Sequence, residues 1–286
     1  MAGSVSSDFF VPEVLADAMA GALAGRLALD GTGAFNIVDG LPGSERAGNT
    51  INIPYFGHIG ELESRTDGQA LTVATLTSTA ETSTVVRAGK AFEITNWAQR
   101  AAAGDPYSEG ARQMADSVIR QFDRAALTAA LATNLTLDRK SAALAYTHFV
   151  ELLDLFGDEQ EDVVGFAMHS KILASLRGIK DTSGRLIFVD ARADGRPTVF
   201  GLPVFVSDRN TVTADGGGTG VDTYKTIALK RGAGVIWRAD GPRVDTDKDI
   251  LADSKVASVN LYYAVHLYKK YPGNTKIGAA VIETRA

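Results

Sequence analysis

The sequence predicts an α+β fold organised around one long helix. Three observations carry this: an amphipathic run from Asp105 to Ala132, two-residue alternation of strand type on both sides of it, and helix–strand alternation in the block that follows. In the central run, Ala111, Met114, Ala115, Val118, Phe122, Ala125, Ala126 and Ala129 recur at three- and four-residue steps and share one face. Arg112, Asp116, Arg120, Asp123 and Arg124 are expected on the others. Asp105 suits the N-cap and Pro106 the first turn, where a missing N–H costs nothing. Glu109 places negative charge near the positive end of the helix dipole. At 1.5 Å per residue the rod is about 40 Å long, enough to span a domain.

From the N-terminus, Pro12 opens a helix through Leu29 whose Ala/Gly-rich apolar side is thin, so it reads as an arm lying on something else. Residues 50–58 (TINIPYFGH) alternate as a strand, with Pro54 marking an edge or a bulge. A charged segment with Gly60 and Gly68 as turn makers leads to residues 71–87, a Thr-rich return strand with few large apolar side chains. A two-stranded ribbon of this kind is marginal alone in water. It is either an exposed hairpin on a sheet edge or an arm stabilised by a neighbouring subunit. Residues 88–100 then lead into the long helix.

After the helix, Thr147–Phe156 predicts a short amphipathic helix, Val163–Met168 a buried strand, and Ser170 caps a helix through Arg177. Gly184–Val189 reads as a strand, and Val199–Ser207 as a turn ending in another. Asp208–Asp222 is a polar loop, and Tyr224–Lys230 and Val235–Arg238 are expected to pair around Gly232 and Gly234. Residues 254–271 form a long alternating strand. Pro272, Gly273 and Asn274 turn the chain into a last strand, Lys276–Glu283, which pairs back near the long helix.

Composition narrows the function. The 286 residues carry a formal charge of −5, against the clustered Lys and Arg that tight phosphate binding needs. With no cysteine, disulfides, Cys-ligated zinc, iron–sulfur clusters and Cys nucleophiles are excluded. The start has no basic residue before Arg26 and does not read as a secretory signal, and no stretch approaches the ~20 apolar residues of a membrane helix. A soluble chain is expected.

Motifs for chemistry fail one by one. Asp245, Asp247 and Asp249 resemble the start of a calcium loop, but Ile250 and Val256 stand where Gly and Glu are required. Gly216–Gly220 lacks the Lys-Ser/Thr of a P-loop, and Gly232/Gly234 lacks the third glycine and following helix of a dinucleotide site. Of His58, His148, His169 and His266, no pair has metal-ligand spacing; His266 reads as a packed sheet residue. His169 could join a Ser and an Asp, but no G-x-S-x-G elbow carries the nucleophile. Lys269 and Lys270 beside Tyr268 and Tyr271 read as solvated lysines rather than a nucleic-acid platform. No catalytic, cofactor or metal residues are expected.

The order of elements (arm, long hairpin, long helix, α/β block, returning sheet) resembles the tailed-bacteriophage major capsid proteins with the Hong Kong 97-type fold. The stretches 168–179 (MHSKILASLRGI), 199–208 (VFGLPVFVSD) and 227–267 carry the likeness. The resemblance implies an N-terminal arm at 1–49 and an extended loop (E-loop) β-hairpin at 50–88. It implies a P-domain at 89–144 and 241–286 with spine helix 105–132, and an α/β A-domain at 145–240. It further implies self-assembly as hexamers and pentamers into an icosahedral shell that encloses double-stranded DNA without binding it specifically. Portal and decoration proteins would be partners, there would be no membrane, and the chain would be made in the host bacterial cytoplasm. The type member carries a cleaved N-terminal scaffolding segment. This chain enters the arm almost at once, which implies a separate scaffolding protein or none. The type member also crosslinks an E-loop Lys to an Asn, whereas no Lys occurs between Thr50 and Gly89, so a non-covalent shell is expected. Intersubunit contacts are expected at the hairpin tip, Glu61, Glu63, Arg65 and Asp67. The alternatives are an encapsulin-type compartment shell, which the Ala/Gly-rich start fits poorly, and a soluble α/β hydrolase using His169 or a nearby Asp.

Overall fold

One helix is shared by two sheets, and the chain passes between the sheets three times. The structure, a computed structural model, describes residues 33–42, 50–102, 104–142, 144–180, 183–184, 192–193, 196–208, 212–214, 220–239, 241–270 and 275–285. The expected helix from Pro12 to Leu29, most of the expected strand Gly184–Val189, the glycines 216–218 and the turn Pro272–Asn274 lie outside the described residues.

In chain order the first strands are β1 (Phe35–Asp39), β2 (Thr50–Phe56), β3 (Ser78–Thr84) and β4 (Val86–Thr95), followed by α1 (Asn96–Ala101) and α2 (Pro106–Leu131). Next come β5 (Leu135–Arg139), α3 (Tyr146–Asp154), a 3-10 turn (Gly157–Asp162), β6 (Val163–Met168) and α4 (Ser170–Gly178). The short strands β7 (Arg192–Ala193), β8 (Arg196–Val199), β9 (Leu202–Val206) and β10 (Val212–Thr213) precede β11 (Thr223–Lys230) and β12 (Gly234–Arg238). The last are β13 (Arg243–Asp249), β14 (Ser254–Leu267), β15 (Lys269–Lys270), β16 (Thr275–Lys276) and β17 (Ala279–Arg285).

The first sheet is built on β14. It pairs with β12 and β13 along one edge and with β4 along the other, and β1 runs parallel to β12. The second sheet has the order β5-β17-β11-β6-β9-β8-β7, with β10 beside β11. Tyr224–Lys230 and Val235–Arg238 therefore do not pair, contrary to expectation: β11 and β12 belong to different sheets. The chain crosses between them on a turn at Gly232, φ 61°, a conformation that costs a Cβ-bearing residue and suits glycine. Gly234 then runs so close to β14 that a Cβ would strike the His266 carbonyl and the Phe35 ring.

The long helix is as expected at its start. The Asp105 carboxylate accepts from the Tyr107 amide at 3.0 Å, and Pro106 fills the first turn. Arg112 binds Glu109 in a fork (2.9 and 2.6 Å), which with Gln113 holds the Glu109 carboxyl down to about 2. Its buried face includes Tyr107, Met114, Val118, Ile119, Phe122 and Leu127. Asp123, expected on a polar face, is buried among them, while Ala125 and Ala129 are only partly covered. The apolar face meets β14 of the first sheet (Val259, Leu261, Tyr263) and then β11 and β17 of the second (Ile227, Leu229, Ala279, Val281). At its end the Thr133 hydroxyl donates to the Ala279 carbonyl at 2.5 Å, handing the chain to β5 alongside β17.

The second sheet is buried on both faces. Along β17, Ala279 and Val281 face the long helix, and Ala280 and Ile282 face a second core with α3 and α4; β11 divides in the same way. Period-two side chains with two apolar environments give the continuous runs VVGFAM and AAVI. Gly165 is needed here, because a Cβ would lie 2.6 Å from the Pro203 carbonyl on β9.

Two other expectations change. Strand β3 begins only at Ser78, not at Leu71, because residues 71–77 have no strand to pair with. Strand β4 falls where only a lead-in to the helix was expected. It is an edge strand with Lys, Glu and Gly at intervals, and the signal was the alternation of Ala88, Lys90, Phe92 and Ile94.

His148 supplies a pH prediction. Its Nδ1 accepts the Ala145 amide at 3.2 Å at the start of α3, and burial pushes its pKa below 6.5 against the opposing charge of Glu151. The unfolded chain then takes up the proton more readily. The stabilisation is complete above the unfolded value of about 6.5 and is lost as pH falls through the lowered folded value. Thermal melts of His148→Gln should show a flatter acid limb than the parent between about pH 7 and 5.

Candidate assembly surfaces

The hairpin β2–β3 divides into a clamped base and a bare extension. At the base, alternation puts Ile51 and Ile53 against Val235, Trp237 and Ala264 on the face of the first sheet opposite the long helix. The Tyr55 hydroxyl meets His266 Nε2 at 2.5 Å, and a carboxylate oxygen of Glu81 lies 3.7 Å from the same nitrogen. The Ser83 hydroxyl donates to the Val265 carbonyl at 3.0 Å. His266 is thus a packed sheet residue, as expected. The ladder ends where Gly57 N–H donates to the Thr77 carbonyl at 2.7 Å.

Beyond that bond the hydrogen bonds are local. Gly60 N–H donates to His58 Nδ1 at 3.0 Å, Gln69 N–H to the Thr66 carbonyl at 3.2 Å, and Arg65 turns back on the Gln69 carbonyl. The charged side chains Glu61, Glu63 and Asp67 are exposed, so the four expected tip residues share one end of the hairpin. Six large apolar side chains go with them: Phe56, Ile59, Leu62, Leu71, Val73 and Leu76, with Leu62 101% and Val73 90% exposed. Ordering each residue of such a loop costs about 1–2 kcal/mol. Covering its apolar side chains would return about 1.5–3 kcal/mol apiece.

A second uncovered surface lies at the far end of the first sheet. The Thr95 hydroxyl caps α1 (3.2 Å from the Ala98 amide), and Asn96 N–H binds the Asp253 carbonyl at 2.9 Å. This brings Trp97 to the same end as Ile250 and Leu251, and all three are largely exposed. The polar face of α2 is the third surface, where Arg120 and Arg124 project beside β4.

His169 does not carry a hydrolytic site. Its Nδ1 accepts the Lys171 amide at 3.2 Å, making His169 rather than Ser170 the N-cap of α4, and its ring packs at 5.0 Å from Tyr224. Among the described residues no group of His, Asp and Glu could hold a metal, and no helix is long and apolar enough to cross a membrane.

A chain that leaves its hairpin extension and one sheet end apolar and exposed among the described residues fits the class of proteins completed by copies of themselves. The chain belongs to the Gp13-like family, described as major capsid protein 13-like, which it matches over residues 60–256. Its fold is that of phage capsid proteins. A chain of Microbacterium phage Oxtober96 superposes with a TM-score of 0.65 at 14% identity, covering 99% of this chain and 96% of that one. The capsid of an empty GTA particle gives 0.66 at 15% identity with 91% of each chain covered. The capsid of Ralstonia phage GP4 gives 0.67 at 10% identity, covering 90% and 88%. No curated protein sequence matches the chain. The role is structural rather than catalytic: this is a major capsid protein of phage-like shells, located in the virion, and it associates with itself.

Proposed function

We propose that the chain assembles as pentamers and hexamers of an icosahedral shell around double-stranded DNA. The hairpin, residues 50–88, is its extended loop and reaches over a neighbouring subunit. The observation that carries this is the division of the hairpin at Gly57–Thr77, with a base clamped on its own sheet and an extension whose large apolar side chains are exposed. In this reading residues 1–49 are the N-terminal arm. Residues 89–144 and 241–286 form the P-domain with Gly234–Arg238 paired to its sheet, and residues 145–240 form the A-domain. Glu61, Glu63, Arg65 and Asp67 make intersubunit contacts. The acidic net charge suits a container that does not hold its genome by sequence. A separate scaffolding protein, a portal and a decoration protein complete the set of partners, and synthesis takes place in the host bacterial cytoplasm.

Negative-stain electron microscopy of the expressed protein tests the reading. Uniform hollow shells are expected, and a dispersed monomer under all assembly conditions would refute it. The shell is expected to be non-covalent, since no Lys lies between Thr50 and Gly89 to form an amide bond from the hairpin. Boiled shells on an SDS gel should run as one band near the 30.2 kDa of the monomer. A ladder of multiples would contradict this.

A further inference from the structure

His266 joins the hairpin to the first sheet through a side chain whose charge changes with pH. Its ring belongs to β14 and is 5% exposed, and its Nε2 is met from each strand of the hairpin. The Tyr55 hydroxyl of β2 lies 2.5 Å from that nitrogen, and a carboxylate oxygen of Glu81 of β3 lies 3.7 Å from it. One residue past β14, Tyr268 packs edge-on with ring centroids 5.8 Å apart. Arg124 of α2 shares a cleft of about 510 Å³ with His266 and Glu81, and β12 sets the apolar Val235 opposite the histidine. Burial pushes the Tyr268 hydroxyl above 10, so it stays neutral across the range in which an imidazole titrates.

We propose that His266 is a proton-operated latch for the base of the hairpin. In the neutral ring with its proton on Nδ1, Nε2 accepts the Tyr55 O–H, and the Glu81 carboxylate gains nothing from that nitrogen. In the charged ring Nε2–H is a donor. It then has an acceptor on each hairpin strand, the Tyr55 oxygen and the Glu81 carboxylate, and a hydrogen bond to a charged group is the stronger kind. The cation sits on the sheet and both acceptors sit on the hairpin, so the gain is in docking one on the other rather than in either piece alone. An isolated imidazole titrates near pH 6.5. The clamp is therefore tight on the acid side of neutrality and slackens as pH rises through the titration. The latch belongs to a single subunit. Its consequence for assembly, that the clamp fixes the direction in which the extension leaves the subunit, rests on the reading above.

Trp237 is the reporter. It is 9% exposed and lies in the cluster that Ile51 and Ile53 of the hairpin complete, whereas the chain's other tryptophan, Trp97, is 80% exposed. In a Trp97→Phe chain kept unassembled, acrylamide quenching of Trp237 should be on the order of twofold weaker at pH 5.5 than at pH 8, as the charged ring tightens the clamp. Glu81→Gln in that background should reverse the sign, with stronger quenching at pH 5.5, because the buried cation then lacks its carboxylate. His266→Gln should remove the pH dependence. Protonation of His148 is common to all three chains and cancels in the comparison. Quenching in the parent that does not weaken toward pH 5.5, or acid tightening that survives Glu81→Gln, overturns the latch. These two arms decide without His266→Gln should that chain not fold. The quenching is read on one subunit, so its failure leaves the hairpin reading standing. Shell yield that is indifferent to pH in a chain whose latch titrates would overturn only the use of the latch in assembly.

Discussion

Replacing residues 58–76 with an Asn-Gly turn should leave the subunit folded and abolish shell formation. The cut falls just beyond the last ladder bond, from Gly57 to Thr77, so β2 and β3 keep their register, Thr50 opposite Thr84 through Phe56 opposite Ser78. A two-residue Asn-Gly turn has the twist that antiparallel strands need. The base keeps Ile51, Ile53, the Tyr55–His266 bond and the Ser83–Val265 bond. The removed segment touches neither core, so the melting free energy should change by no more than about 0.5 kcal/mol, the usual range for surface changes away from special features. What is lost is the apolar cover offered to a neighbour: Ile59, Leu62, Leu71, Val73 and Leu76. At about 1.5–3 kcal/mol per side chain this is on the order of 10 kcal/mol per subunit, far more than a shell contact can forgo. Calorimetry and size-exclusion chromatography should report a stable monomer, and electron microscopy no shells. Normal shells from the shortened chain would show that the loop is a dispensable ornament.

The same hairpin shows where sequence reasoning stops. Alternation in TINIPYF was legible because one face meets a sheet, and the burial of Ile51 and Ile53 follows it. The Thr-rich run 71–77 looked like a strand for the same intrinsic reason, yet extended propensity without a partner does not make a ladder. Long periodic elements are legible: α2, α3, β6 and β14 lie where their periods place them. Asp123 is acidic yet lies on the covered face, where its neighbours Phe122, Ala126 and Leu127 place it. Pairing β11 with β12 followed the rule that successive strands are neighbours. Only three residues intervene, but the close approach at Gly234 lets the chain change sheets, and closeness of that kind is invisible without the other strand. The charged tip could be found from four adjacent residues. The grouping of cations beside α2 could not, since it joins Lys90 on β4 to Arg120 and Arg124 on the helix.

Phe122→Ala should be among the most damaging single changes in the chain, costing about 3–5 kcal/mol. The ring is 3% exposed and packs edge-on against Tyr263 with centroids 5.5 Å apart. One residue earlier, the Gln121 amide donates to the Tyr263 hydroxyl at 2.7 Å, so that ring is held on its face and at its tip by a single turn of α2. Truncation leaves a cavity at the point where the helix passes from the first sheet to the second. One hydrophobic cluster runs through both, from Val259 and Leu261 to Ile227, Leu229 and Val281, and neither side can collapse inward without moving the other. With total stability on the order of 5–15 kcal/mol, a loss of this size removes much of it. The expected signature is a lower denaturant midpoint with unchanged slope, shared by fluorescence and circular dichroism. Arg120→Ala, two residues away on the open face, should move the midpoint by no more than about 0.5 kcal/mol. The pair separates the two roles of α2. Losing the buried ring costs the fold and therefore the shell, whereas losing the exposed cation leaves the fold intact. A Phe122→Ala chain weakened by less than about 1 kcal/mol would mean that the helix is not the common core of the two sheets, since a buried phenylalanine lost from a shared core costs several times that.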